Sequence, residues 1–433
     1  MTNTIDESAN RTFSELERRY DLDWLRVITI FIVFIYHCSK FFDTDPFNVK
    51  NNPVDFVNGT IPLSSYKITA NLNYLTAIGL PLFFIIAGMS TFYALGFMEE
   101  RKIKTNKYIL IRFIRLIVPF MIGIFTYISL LVFLEYTNKG FISSTFFEFY
   151  PNYYNGVYGF GGNFSVFGHH LWFLFILFLF TVSTVYLFAY LRRERFRSSF
   201  SKIASFFKEP GTIFLLIIPV YILEVLHSSF YRDFPRLGGW DFLSYIFFLF
   251  YGFLFAYDKQ FRLALKKNFI IAIVLGLFSL GTQITMNTLF LEEIWVNSGF
   301  TTLVIPFLFA RVVFSWSCII IILYLGDRYL NKKSKAVKTL NELVLPFYIT
   351  HFVIVSAVGF YIVQLDYLVI SEFLLIFLIS LAIIVPLILI IRELNALRFI
   401  FGMSITKKKS LARFFKKKKT TNDEPVSEEV KTN

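Results

Sequence analysis

The chain has 433 residues, of which 56% are hydrophobic, 20% aromatic and only 17% charged, with 57 phenylalanines. A soluble domain carries about 25% charged residues, and a mean hydropathy of +0.59 places this chain in lipid; a soluble enzyme, a disordered chain and a secreted disulfide scaffold are excluded. The formal net charge of +13 does not point to nucleic acid, because the basic residues fall in short runs between long apolar stretches, where they act as topology signals.

Residues 1–20 are polar and offer no cleavable leader, so the first apolar stretch is read as an uncleaved anchor. A bilayer core of about 30 Å needs about 20 apolar residues at 1.5 Å each. Ten stretches qualify: 24–42, 71–97, 108–134, 169–191, 211–227, 240–257, 268–290, 300–326, 343–365 and 373–391. The unbroken apolar run 116–134 lacks the alternation of a transmembrane β-barrel. The expected fold class is therefore all-α, a polytopic integral membrane helical bundle of ten transmembrane helices.

The connections 99–115, 192–208, 259–267 and 328–338 hold 21 Lys and Arg, against 6 in the alternate connections 40–67, 136–168, 227–239, 287–299 and 364–372. The first set is expected in the cytoplasm, with both termini on that side, in a cell membrane. Three parts follow: a polar cytoplasmic N-terminus (1–20), a ten-helix membrane domain (21–402) and a polybasic cytoplasmic tail (403–433). The tail lysines at 407–409 and 416–419 suit anionic lipid, or act only as a solubilising end. Sequons at Asn58 and Asn163 fall in outer connections, and Cys38 and Cys318, both in apolar stretches, imply no disulfide framework.

Ionisable side chains inside spans are costly and mark function by default. Asp23, Arg26 and His37 lie on the first span. Eleven steps at about 100° bring Arg26 and His37 to one stripe, about 16 Å apart. A histidine deep in a span suits a general base, or else a packing hydrogen bond between helices. Arg112 and Arg115, one turn apart before Pro119, present a cationic face suited to phosphate; ordinary positive-inside anchoring is the alternative. His170 and Trp172 open the fourth span at its outer side, where an interfacial Trp and a solvated His are common. His351 falls about two turns into the ninth span. Glu224 and Arg311 either pair structurally or line a pathway. The chain has no H-E-x-x-H, no Cys/His cluster at metal spacing, no G-x-S-x-G and no phosphate-cradling glycine loop. Zinc proteolysis, serine hydrolysis and nucleotide hydrolysis are not expected, and no metal is.

Several segments carry a family resemblance. Tyr20-Asp21-Leu22-Asp23-Trp24-Leu25-Arg26, with His37 eleven residues after the arginine, resembles the opening D-x-L-R…H pattern of the membrane acyltransferase-3 family. Pro81-Leu82-Phe83-Phe84-Ile85-Ile86-Ala87-Gly88 is similar to its second-span signature, and Arg112-Phe113-Ile114-Arg115 to its R-x-x-R motif. His170-Leu171-Trp172-Phe173-Leu174, Pro346-Phe347-Tyr348-Ile349-Thr350-His351 and the stretch from Arg392 to Gly402 resemble the branch of the glucan biosynthesis protein C succinyltransferases, although Thr350 stands where that branch usually has Leu. The resemblance runs from about Tyr20 to Gly402.

The resemblance implies transfer of an acyl group, of the acetyl or succinyl class, from cytoplasmic acyl-coenzyme A to a hydroxyl of a glycan or polysaccharide at the outer face. His37 would deprotonate that hydroxyl or briefly carry the acyl group. Arg112 and Arg115 would hold the coenzyme A phosphates, and Asp23 and Arg26 would position the donor or the first helix. His170 and Trp172 would meet the sugar at the outer mouth, with His351 a further substrate contact. Membrane lipid is the remaining partner, and the sequence specifies no oligomeric state. A polysaccharide exporter or flippase, with Glu224 and Arg311 on its path, and a membrane sensor without enzymatic activity are the other classes compatible with the composition.

Overall fold

The computed structural model describes residues 19–42, 74, 76–230, 236–290, 294, 302–365 and 367–405. Most of the polar N-terminal segment, the sequon at Asn58 and the tail lysines lie outside the described residues. Within them there are helices and isolated bridges but no strand. The helices that build the site are α1 (Tyr20–Ser39), α2 (Thr76–Glu100), α3 (Thr105–Phe125), α4 (Ile128–Asn138), α5 (Trp172–Leu191) and α6 (Ile217–Phe230). They continue with α7 (Ser244–Tyr257), α8 (Phe269–Leu289), α9 (Val304–Leu325), α10 (Lys335–Ile362) and α11 (Val369–Glu393).

Nine helices among the described residues are long and apolar enough to cross a membrane. Helices suit this solvent because each closes its backbone hydrogen bonds within itself. α11 shows how the sides divide: Ile376, Ser380, Ile384, Ile388 and Ile391 form a buried stripe at helical spacing, while Leu374, Leu378, Ile383 and Leu389 stay exposed. The tenth expected span, 240–257, is the short helix α7, whose 14 residues reach about 21 Å. It packs closely on α2 because glycines meet at the crossing. A β-carbon on Gly88 would lie 1.9 Å from the Leu249 carbonyl oxygen, and one on Gly252 2.0 Å from that of Ile85.

The basic connections gather at one end of the bundle. Arg19 reaches Asp327 at 3.0 Å, Arg262 reaches the same carboxylate at 3.7 Å, and Arg192 reaches Glu99 at 3.5 Å. At the opposite end, fully buried Glu224 accepts from Arg236, from the Asp241 amide (2.8 Å) and from Ser244 (3.1 Å), with Arg311 at 3.8 Å. Glu224 thus anchors the entry to α7, and Arg236 is a nearer partner than the expected Arg311.

Two expected boundaries are corrected. The span expected at 343–365 begins at Lys335, because the Ser334 side chain caps the Val337 amide. The span expected at 108–134 is broken at Thr126 and Tyr127, between α3 and α4. The carbonyls left over at the break are taken by a returning loop. Tyr153 donates to the Ile124 carbonyl (2.9 Å), and Tyr150 and Tyr154 donate to that of Phe125 (2.9 and 2.8 Å). This satisfies helix-end acceptors that would otherwise lack partners. The loop then docks on α4 through Tyr158 to Glu135 (2.6 Å) and Tyr136 to the Gly162 carbonyl (3.0 Å), forming a cap at the end of α3.

Candidate active site

His37 sits near the C-terminal end of α1, about 25 Å from its start. α1 is held between α2 and α10, and the Phe41 ring beyond it fills the space beside Gly359 of α10, where a β-carbon would come within 2.1 Å. This packing sets His37 against the middle of α10. Its Nδ1 lies 3.3 Å from His351 Nε2 and 2.9 Å from the Val33 carbonyl. Phe352 meets the ring edge-on at 4.7 Å between centroids. His351 is fully buried, and donates its Nδ1–H to the Tyr348 carbonyl at 2.7 Å. His37 is only half-buried, and among the described residues its Nε2 has no hydrogen-bond partner.

A third histidine comes from the cap. Gly168 and His169 both adopt left-handed backbone (φ 67 and 46°). That is strained for His169 and is the kind of outlier that functional sites retain. The turn fits closely: a β-carbon on Gly168 would fall 2.8 Å from Ile124 and 3.3 Å from Phe120 of α3. It swings His170 inward, where Nε2 donates to the Ile349 carbonyl (3.2 Å) and the Tyr348 hydroxyl donates to the His170 carbonyl. The His170 ring lies 5.6 Å from that of His351. It is 8% exposed, and its Nδ1 is buried without a partner among the described residues. The expectation of a solvated histidine at the outer rim is thus corrected, because the cap covers it. Trp172, two residues on, turns the other way and packs on Tyr245 (5.8 Å) and beside Gly238. Hence the structure brings His37, His170 and His351 together and leaves Trp172 apart. Among the described residues no group of three His, Cys, Asp or Glu side chains is placed to hold a metal.

Toward the basic end of α1, Asp23 and Arg26 tie three helices together. Arg26 donates to Asp23 (2.9 Å), to Asn341 of α10 (3.4 Å) and to Ser90 of α2, and Asn341 donates to Asp23 (2.9 Å). Arg112 and Arg115 of α3 are close enough to Arg26 for the three guanidinium groups to repel one another. Arg112 donates from Nε and Nη2 to the Tyr108 hydroxyl (2.8 and 2.6 Å). The Tyr108 hydroxyl donates to Thr91 Oγ1 (3.0 Å), which donates to the Ala87 carbonyl (2.8 Å). Arg115 is exposed and, among the described residues, neither it nor Arg112 has a carboxylate partner. A wide π-turn over Phe113–Ile117 carries Arg115. Pro119 accounts for it, having no N–H for the Arg115 carbonyl and a ring that clashes with it. The result is a cationic cluster only partly offset by Asp23, chemically suited to an anion with several oxygens.

Three of these side chains escape a reading of the sequence. Tyr108 stands four residues before Arg112, so helical spacing could have found it. Ser90 stands in no motif that singles it out, and Asn341 lies before the expected start of its span.

Residues 19–392 match a family model described as an acyltransferase domain, Acyl_transf_3. No curated protein and no solved structure matches the chain.

Proposed function

The chain belongs to the acyltransferase-3 family and is an acyltransferase, and from that premise we propose that it moves an acyl group from acyl-coenzyme A to a carbohydrate hydroxyl. The donor is cytoplasmic and of the acetyl or succinyl class, the acceptor is a glycan on the other side of the cell membrane, and the chain falls in the glucan biosynthesis protein C-like branch. Both termini lie in the cytoplasm, so the basic end of the bundle is the donor side.

What supports this reading most is the disposition of two sites along one helix. Arg26, beside two arginines without carboxylate partners, and His37, with its Nε2 unpartnered among the described residues, share α1. They stand about 16 Å apart along its axis. The arginines hold the coenzyme A phosphates, and the long pantetheine arm carries the thioester toward His37. There Nε2 takes the proton of the acceptor hydroxyl as its oxygen attacks the thioester carbonyl carbon. The carbon–oxygen ester bond forms, the carbon–sulfur bond breaks, and the departing thiolate takes the proton back from Nε2. His170, whose ring lies 5.6 Å from that of His351 and whose Nδ1 has no partner among the described residues, suits a hydroxyl donor on the acceptor sugar.

The test is direct. Purified protein in liposomes is given labelled acetyl- or succinyl-coenzyme A on the basic side and glucan oligosaccharides on the other. Donor-dependent label on the oligosaccharide supports the proposal. Glycan movement without donor, and no label transfer, overturns it in favour of an exporter. The residues that motivated an exporter do not favour one, since Glu224 and Arg311 lie in a satisfied network that anchors α7.

A further inference from the structure

We propose that His351 is a positioning residue for His37: its buried Nε2 accepts the His37 Nδ1–H and so fixes which nitrogen of His37 is left bare to act. The proposal rests on the reading of His37 as the base of an acyl transfer.

The hydrogen-bond directions leave one arrangement. The Tyr348 carbonyl can only accept, so the proton of a neutral His351 is on Nδ1, 2.7 Å from it. His351 Nε2 is then a bare acceptor, 3.3 Å from His37 Nδ1. The second neighbour of that same nitrogen, the Val33 carbonyl at 2.9 Å, also only accepts. Both partners therefore demand a proton on His37 Nδ1. The only remaining lone pair of the ring is on Nε2, which no described residue occupies. The Val33 carbonyl also serves the backbone ladder of α1, so His351 is the acceptor dedicated to the ring.

The same pair suits the charged state. When Nε2 takes up the acceptor proton, the imidazolium keeps its Nδ1–H aimed at His351, and that bond becomes charge-assisted without any rearrangement. A carboxylate would serve similarly in a wetter site, but an ionised group on fully buried α10 surface would be costly to desolvate. A neutral imidazole avoids that cost. Its ring is fixed in turn by Phe347, stacked at 6.0 Å, and by the His170 ring at 5.6 Å.

The experiment has two independent arms, both on the full chain in lipid vesicles. The first needs no turnover. The chain has five histidines, so ¹⁵N-histidine labelling with solid-state NMR, assigned through His37→Gln, resolves the ring nitrogens. The expected result is a proton on His37 Nδ1, a bare Nε2, and a nitrogen–nitrogen contact to His351; a proton on His37 Nε2 overturns the proposal. The second arm measures thiol release from acetyl- and succinyl-coenzyme A with glucan oligosaccharides present. His351→Phe keeps a ring in place and removes the acceptor, so kcat should fall about 10- to 100-fold, with donor KM and thermal stability near those of wild type. His351→Gln, which can offer an amide oxygen to the same N–H, should recover part of kcat. Wild-type kcat in His351→Phe overturns the proposal, as do equal losses in both variants accompanied by lowered thermal stability. Wild-type protein that uses neither donor overturns the acyl-transfer reading instead, and the ring-proton measurement then decides the His351 assignment by itself.

Discussion

Gly88 of α2 and Gly252 of α7 face each other's backbone where the two helices cross, with room for neither to carry a side chain. A β-carbon on either would come within 2.0 Å of a carbonyl oxygen on the partner helix. Backbone cannot step aside as a flexible side chain can. Close small-residue crossings of this kind are how helices associate in lipid, where burial of apolar surface gives no drive.

The first prediction follows. Gly88→Ala or Gly252→Ala must push the helices apart, at a cost of about 1–3 kcal/mol or more. Thermal unfolding in detergent should show the loss. Gly281→Ala is the control, because its β-carbon would meet nothing within 4 Å; there the change should be neutral or stabilising by about 0.5–1 kcal/mol. Equal stability in all three variants would contradict the close crossing.

Arg112 and Arg115 should contribute affinity for the donor rather than stability. Arg112→Lys retains charge but cannot reproduce the paired bonds to Tyr108, so it should weaken binding of coenzyme A. Changing both arginines to Gln should weaken it further and flatten its dependence on salt, since fewer phosphate contacts remain to be screened. Titration of the purified protein with coenzyme A by calorimetry at two salt concentrations measures both effects. Undiminished binding by the double variant would make these residues topology anchors only.

His37→Gln retains a donor and an acceptor but cannot take up a proton near neutral pH. Acyl transfer should fall about 10²- to 10⁴-fold, while expression and coenzyme A binding persist. Its neighbour Cys38 is fully buried and points about 100° away around α1. Cys38→Ala should therefore cost a little stability and leave transfer nearly unchanged. Near-normal transfer by His37→Gln would identify it as a packing residue.

Orientation can be read from single cysteines. Phe160 in the cap is 87% exposed, and Lys333 lies in the basic connection between α9 and α10. Phe160→Cys should react with a membrane-impermeant maleimide from outside intact cells, and Lys333→Cys only after the membrane is opened. Reaction of both from one side would refute the assignment of the basic end to the cytoplasm.

The spans were legible in the sequence because hydropathy is a local property: nine of the described helices cover stretches where the apolar runs fall. Arg112 with Arg115, and Arg26 with His37, were legible for the same reason, since helical periodicity alone puts each pair on a shared face. What the chain could not disclose by periodicity was anything set between helices. His170 reads as a rim residue until the cap folds back onto the break after Phe125 and the Gly168–His169 turn drives it inward. His351 is 314 residues from His37, and no spacing rule connects them. The shortness of α7 depends on Glu224 holding its entry and on two glycines letting it press against α2. Local composition decided which segments enter the membrane. Only tertiary packing decided which polar groups meet there, because a buried hydrogen bond is satisfied by whichever helix lies beside it, not by the residue next in sequence.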